Sequence, residues 1–291
     1  MMAPDYTPLW FWVRERERIR IAKDSGAPPP WTDDPILAAY RFCNVRREDD
    51  SGTMWIKVNI RERFAGHEHL WFMLCIARQI NWPDTLAELI AAEDAWPSGP
   101  LFSPVELATA LDARKQRGEK IYTGAYMIGA PPEKGTDKQR YIAEVVLGQL
   151  WWARDRFARL FGGTVKPMLR EVHARLAGYR GWGPFMAYQA IVDMRFTPLL
   201  DHADDVAIWA AAGPGTIRGL NRLHGRKVDA ALSQAAALGE MRAIYRRVVD
   251  ETGVAMDFSD VPNILCETDK YLRVKNGEGK PRARYVPGRG W

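Results

Sequence analysis

Four short segments concentrate acids, arginines and asparagines where a helical core has no use for them. The first, "YRFCNVRREDDSGT", places Arg41, Asn44, Arg46, Arg47, Glu48, Asp49 and Asp50 within ten positions. It begins as an apolar helix and finishes as a dense run of both signs. A solvated helix end accounts for those charges, but not for Asn44 between Cys43 and Val45. The second, "AYQAIVDMRF", sets Asp193 inside a strongly apolar helix, two positions before Arg195. A carboxylate there is either paired in the core or functional. The third, "WAAAGPGTIRGLNRLHGRK", alternates Gly213, Gly215 and Gly219 with Arg218, Asn221 and Arg222. Glycine lets a backbone approach a ligand closely, while arginine and asparagine offer donors to an anion or a base edge. The fourth, "NILCETDKYLRV", carries Glu267, Asp269, Lys270 and Tyr271 beside Cys266, and reads equally well as a surface helix with internal salt bridges. Together these groups have the chemistry to move protons and to hold phosphates or carboxylates.

A fifth stretch positions rather than reacts. In "LAGYRGWGPFMAYQAIVDMRF", Gly181 and Gly183 flank Trp182 and precede Pro184 and a periodic apolar run. Proline suits a first helical turn and glycine a sharp, positive-φ approach. With "TVKPMLREVHARLAGY" upstream, the spacing predicts helix, tight hairpin, helix. Such a hairpin presents backbone N–H groups at a helix N-terminus, a good seat for a phosphate; an ordinary turn between packed helices is the alternative.

Elsewhere helix signals dominate: "TPLWFWVRERERIRIAK" with Thr7 as cap and a solvated Arg/Glu face, "SPVELATALDARKQ" with a Ser103–Glu106 capping box, and a single long helix in "TDKQRYIAEVVLGQLWWARDRFARLFGG". "ADDVAIWAAAG", "KVDAALSQAAALGEMRAIYRRVVDETG" and "DVPNILCETDKYLRV" supply three more. Only "KIYTGAYMIG" has a strand-like pattern, at most one short β-hairpin. The fold class expected is mainly α. The organisation expected is an N-terminal helix and stiff linker over 1–33, a helical domain of one or two lobes over 34–275 and a basic arm over 276–291.

Composition narrows the function classes. Lysine and arginine number 41 against 36 acids, a net charge of +5 weighted toward arginine, which suits phosphate better than lysine does. Some of the 12 tryptophans exceed packing needs and could stack on bases. The three isolated cysteines give no disulfide framework, zinc pattern or iron–sulfur spacing, and His67-Glu68-His69 cannot share a helix face. No metal or cofactor is therefore expected. No charged-then-apolar leader and no membrane-length apolar run occur, so the expectation is a soluble protein without membrane contact.

Taken in order, "RFCNVRREDDSGT", "GWGPFMAYQAIVDMRF", "GPGTIRGLNR" and "LCETDKY" resemble the helical domain of bacteriophage thymine-hypermodification proteins. That domain occurs in 5-hydroxymethyluridine DNA kinases, in pyrophosphorylase-like proteins and in amino-acid:DNA transferases, and the likeness runs from about Pro35 to Arg273. The resemblance implies a helix–hairpin–helix, DNA glycosylase-like fold, with Arg180, Gly181, Trp182 and Gly183 gripping DNA phosphate. Gly215 and the arm residues Lys280, Arg282 and Arg284 are expected to add DNA contacts. The kinases need an ATP site, and no G-x-x-x-x-G-K-[ST] loop is present. The branch implied is the transferase, in which an amino acid such as glycine displaces the phosphate of 5-phosphomethyl-deoxyuridine in duplex DNA, in the cytoplasm of an infected bacterium. A glycosylase acting on a modified pyrimidine is the competing expectation, although Trp182 and Phe185 stand where a lyase-type glycosylase carries lysine. Under the transferase expectation Asp193 is the first choice of base, with Glu48, Asp49 and Asp50 as rivals. Arg46, Arg47, Arg218 and Arg222 are the anion receptors, supported by Arg195, Glu267, Lys270 and Tyr271. Asn44 and Asn221 read the flipped uracil edge. A thiolate from Cys43 or Cys266 is weighed against a packed structural thiol.

Overall fold

The computed structural model describes residues 3–124, 137–279, 281, 284 and 285. In chain order its helices are α1 (Thr7–Asp24), α2 (Pro35–Ala39), α3 (Ser51–Ile56), α4 (Leu70–Ile80), α5 (Pro83–Ala91), α6 (Pro104–Gln116), α7 (Lys138–Arg140), α8 (Gly148–Trp152), α9 (Arg154–Gly162), α10 (Leu169–Ala177), α11 (Gly183–Met194), α12 (Pro214–Leu223), α13 (Gln234–Thr252) and α14 (Val261–Lys275). Wider, π-type turns fill Lys57–Glu62 and Tyr141–Leu147, and tighter 3-10 turns fill Arg47–Asp49 and Phe258–Asp260. Among the described residues no strand forms, and Tyr40 and Arg284 make an isolated antiparallel bridge. The protein is mainly α. Half of "KIYTGAYMIG" lies outside the described residues; Lys120–Gly124 contain no strand.

Contacts divide the chain into two units, Met1–Asp50 with Ala207–Trp291, and Ser51–Val206. In the first unit α1 packs on α13 and α14. Leu9, Trp12, Val13 and Ile19 recur at helical spacing and are fully or almost fully buried. Tyr6, not Thr7, stands at the cap position, and Asp5 before it accepts the Thr7 N–H at 2.9 Å. The most intimate pairing is α12 on α14, and its cause is glycine. A Cβ on Gly219 would be driven into the carbonyl oxygen of Leu265, and one on Gly215 into the Cys266 sulfur. These glycines admit a neighbouring helix, which corrects the ligand-approach reading and removes Gly215 from the DNA contacts. Gly219→Ala is expected to cost about 1–3 kcal/mol, because backbone must move to admit the methyl; chemical denaturation measures it, and an unchanged midpoint would show the interface is looser.

In the second unit α4 is buried at every residue and packs on α11, which pairs with α10. The predicted hairpin between α10 and α11 forms, with Gly181 at φ +79° and Gly183 at φ +48°. It is held from behind: Trp182 Nε1 donates to Val146 O at 3.1 Å. Gln149 brackets Arg180, accepting its N–H at 3.1 Å and donating to its carbonyl at 2.6 Å.

Three predicted helices differ. The long helix after Thr136 widens at Tyr141–Leu147 and breaks at Ala153, where ψ turns to +6°. "ADDVAIWAAAG" is irregular, because Gln234 binds both the N–H and the carbonyl of Ala212, at 3.0 and 2.8 Å. The apolar helix expected to open "YRFCNVRREDDSGT" does not form, since α2 ends at Ala39, and the reason builds the candidate site.

Candidate functional site

Beyond Ala39 the backbone donors find carboxylates instead of helical carbonyls. Cys43 N–H donates to Glu267 Oε2 at 2.9 Å, Asn44 N–H to Asp50 Oδ1 at 2.7 Å, and Arg47 N–H to Asp260 Oδ1 at 2.8 Å. Glu267 and Asp260 thus fold the loop 40–50 against α14 and the 3-10 turn before it, while Asp50 closes the loop on itself. Asn44 closes the loop by donating Nδ2 to Asp49 O at 2.6 Å, and Asn263 of α14 donates to Asn44 O at 2.9 Å. From α1, Arg16 donates to Cys43 O at 3.0 Å and to Asn44 Oδ1 at 2.6 Å. Glu17 holds Arg46 at 2.7 Å, and Arg46 holds Asp49 at 2.8 Å.

The electrostatics of this cluster are unusual. Burial pushes the Asp50 carboxyl up to about 6, against the pull of the Asn44 N–H and Arg47. Burial likewise raises Asp260 to about 7, although it accepts the N–H groups of Arg47 and Asp257. Lys270 lies 2.6 Å from Glu267 with its ammonium 4.7 Å over the Phe42 ring. Burial works against that ammonium, but Glu267 and Cys43 outweigh it and leave its pKa above the ordinary value. Burial, helped by Glu267, holds Cys43 well above the usual thiol range, and Cys266 is raised to about 11 for the same reasons. Neither thiol is a thiolate nucleophile at neutral pH. The arrangement offers a carboxyl that titrates near neutrality beside a buried Lys–Glu pair.

The structure therefore gathers the first, third and fourth polar segments into one unit, but with changed roles. Arg218 and Arg222 both engage Asp269 at 2.8 Å, and Arg222 also engages Glu278. They are partnered by Asp269 of α14 and Glu278 just beyond it, and are not open anion receptors. Asn221 is fully buried, donating to Val228 O and Ala230 O and accepting from Arg226, so it reads no base. Asn44 is likewise spent on the loop. Tyr271 is buried and donates its hydroxyl to Asp34, the α2 cap, at 2.8 Å. Glu48 and Asp49 lie half-buried on the 3-10 turn, with Asp49 tied to Arg46 and Arg20.

The second segment belongs to the other unit. Asp193 has no exposed surface and grips Arg78 through both oxygens, Nη2 to Oδ1 at 2.8 Å and Nε to Oδ2. It is a core ion pair, which corrects its assignment as base. Trp182 is 1% exposed and packed, so it is not a stacking platform. Arg180, Gly181 and Gly183 are exposed, with Arg180 5.6 Å over the Tyr141 ring. Arg195 is half-buried over Phe196. Lys280 and Arg282 lie outside the described residues; Arg284 pairs with Tyr40 and is exposed. No group of His, Cys, Asp and Glu able to hold a metal occurs among the described residues, and none of their helices is long and apolar enough to cross a membrane.

A family model described as "5-hmdU DNA kinase, helical domain" matches residues 4–281, nearly the whole chain. The chain belongs to that family. A curated relative, the 5-hmdU DNA kinase of Bacillus phage SP10, is 24% identical over 275 residues, covering 85% of this chain and 41% of its own length. The chain thus spans well under half of that relative. No solved structure matches it.

The family match begins inside the N-terminal segment, which sequence reasoning set outside the helical domain as a helix with a solvated Arg/Glu face and a linker. Arg16 and Glu17 of α1 are 8% exposed and reach the loop of this helical domain. Asp260 and Asn263 at the start of α14 were also missed. A signal existed for Arg16: it continues the buried face of Leu9, Trp12, Val13 and Ile19 at helical spacing.

Proposed function

We propose that this helical domain is a phage DNA-hypermodification transferase, acting on 5-phosphomethyl-deoxyuridine in duplex DNA with a free amino acid, glycine first, as co-substrate. The observation that carries it is Asp50: a carboxyl with a pKa near 6, in a loop built by three acids, within a family named for a DNA kinase of a thymine derivative. In the proposed step the amino nitrogen attacks the exocyclic methylene. The C–N bond forms as the C–O bond to phosphate breaks, phosphate leaves with the electron pair, and Asp50 takes the proton that nitrogen loses. The base must leave the stack for this geometry.

A second reading follows the relative's own name, phosphorylation of 5-hmdU in DNA. The absence of a P-loop in these 291 residues and the 41% coverage favour a module that presents the base rather than one that holds ATP. Nucleoside mass spectrometry separates the readings, using phosphomethyluridine DNA or 5-hmdU DNA, with amino acids or ATP. Phosphate-free bases heavier than 5-hmdU by one amino-acid residue support the transferase; amino-acid-independent, ATP-dependent phosphorylation supports the kinase; abasic sites would mean a glycosylase.

The exposed hairpin around Arg180 and the basic balance of the chain support DNA contact largely through phosphate. Affinity for duplex DNA is expected to fall by roughly tenfold or more over a few-fold rise in salt. Fluorescence anisotropy at several ionic strengths measures the slope, and a flat slope would remove the phosphate-gripping role.

A further inference from the structure

Arg16 is buried and, among the described residues, no acid is in ion-pair contact with it. Its guanidinium is engaged on two edges, Nε to Cys43 O at 3.0 Å and Nη2 to Asn44 Oδ1 at 2.6 Å, and both acceptors are neutral. Nη1 is buried and, among the described residues, has no hydrogen-bond partner. The acids whose fields reach it are committed elsewhere: Asp50 to the Asn44 N–H, Glu267 to Lys270 and the Cys43 N–H, Glu17 to Arg20 and Arg46. Burial accordingly depresses the Arg16 pKa. A buried donor left unmade is costly, and a buried charge more so. The bonds to Cys43 O and Asn44 Oδ1 give Nε and Nη2 a structural task in holding the loop, but leave Nη1 without one. Around Cys43 the fields of Glu267 and Asp50 are opposed by those of Lys270 and Arg47, so both signs of charge meet beside Arg16. An arginine fork locked on two sides with its third edge buried and unsatisfied is preorganised for a planar or tetrahedral oxyanion.

We propose that Arg16 is the oxyanion receptor of the loop 40–50 site, taking a carboxylate or a phosphate monoester on Nη1. The identity of the natural anion rests on the transferase reading: phosphate if the modified base's leaving group sits there, carboxylate if the amino acid does. The presence of an anion site does not rest on it.

The test uses the full chain without DNA. The Arg16 Nε–Hε resonance, assigned through bonds in the unsubstituted protein, is followed while inorganic phosphate, glycine, or methylamine is added at constant ionic strength, with thermal midpoints in parallel. Saturable movement of this resonance with phosphate, or with glycine but not methylamine, is expected, together with a raised midpoint. Phosphate alone assigns the leaving-group side; glycine without methylamine assigns the carboxylate side. Arg16→Lys, which keeps charge but loses the fork, is expected to weaken that binding by roughly tenfold. No movement with either oxyanion overturns the proposal, as does equal binding by a folded Arg16→Lys. Should the variant not fold, the wild-type titration still decides. Movement in a protein that modifies no DNA would sink the transferase reading and leave this site standing; turnover without movement would do the reverse.

Discussion

Asp50→Asn is expected to abolish at least 99% of turnover, roughly a hundredfold loss or more, while leaving the fold and DNA affinity in place. The substituted amide keeps an oxygen for the Asn44 N–H, which Asp50 accepts at 2.7 Å, so the loop retains its closure. What it loses is the ability to accept a proton. For the native enzyme the pH profile follows from the raised pKa. With Asp50 titrating at about 6, kcat/KM should rise about tenfold per pH unit below 6 and level above it. The stability profile runs the other way. Asp50 and Asp260 hold protons in the folded state up to about 6 and about 7, while the unfolded chain releases them near the ordinary carboxyl value. Folding therefore binds protons between about 4 and 7, and stability falls as pH rises through that window. Asp50→Asn removes its share of the fall, leaving that of Asp260. A folded variant with native turnover would exclude Asp50 as base and return the choice to Glu48 and Asp49.

That expectation differs from one drawn on sequence, and the difference has a physical origin. The segments were legible because charged residues interrupted apolar periodicity, and three of them do converge. The helices were legible for the same reason, as were the hairpin glycines, whose φ values only glycine adopts easily. Partner choice was not legible. A glycine that admits a ligand and a glycine that admits a helix look alike until Leu265 is found above Gly219. An arginine free to bind phosphate and one tied to Asp269 have the same one-dimensional signature, because the acid lies 51 residues from Arg218 and 47 from Arg222. The loop 40–50 failed as a helix for a similarly distant reason, its N–H groups being claimed by Glu267 and Asp260. Arg16 was hidden by its neighbours: the alternation of Arg and Glu suggested a solvated face, yet only the face bearing Leu9, Trp12, Val13 and Ile19 says which arginine turns inward.

Asp193→Asn should act on stability instead of chemistry, and its effect should be among the largest in the protein. Asp193 and Arg78 are 0% and 2% exposed and bonded through both carboxylate oxygens. Arg78 extends the pair to Thr53 Oγ1 at 3.2 Å and to Asn81 Oδ1 at 3.3 Å, tying α3, α4 and α11 together. Asn81 is itself held at φ +47° as the end cap of α4, donating its N–H to Ala77 O at 2.7 Å. Removing the carboxylate charge strands a guanidinium that water cannot reach. Breaking such a pair costs about 3–5 kcal/mol, which in a chain of this size lowers the thermal midpoint by roughly 10 °C. Removing both charges should cost less than the sum of the single changes: Arg78→Met with Asp193→Leu leaves no buried ion, so the coupling energy of the cycle should be large and favourable. Activity of Asp193→Asn, measured well below its midpoint, should then track the folded fraction and show no rescue at high pH. A variant with an unchanged midpoint, turnover down a hundredfold and recovery as pH rises would instead mark Asp193 as the proton acceptor, and the ion pair with Arg78 as the means of poising it.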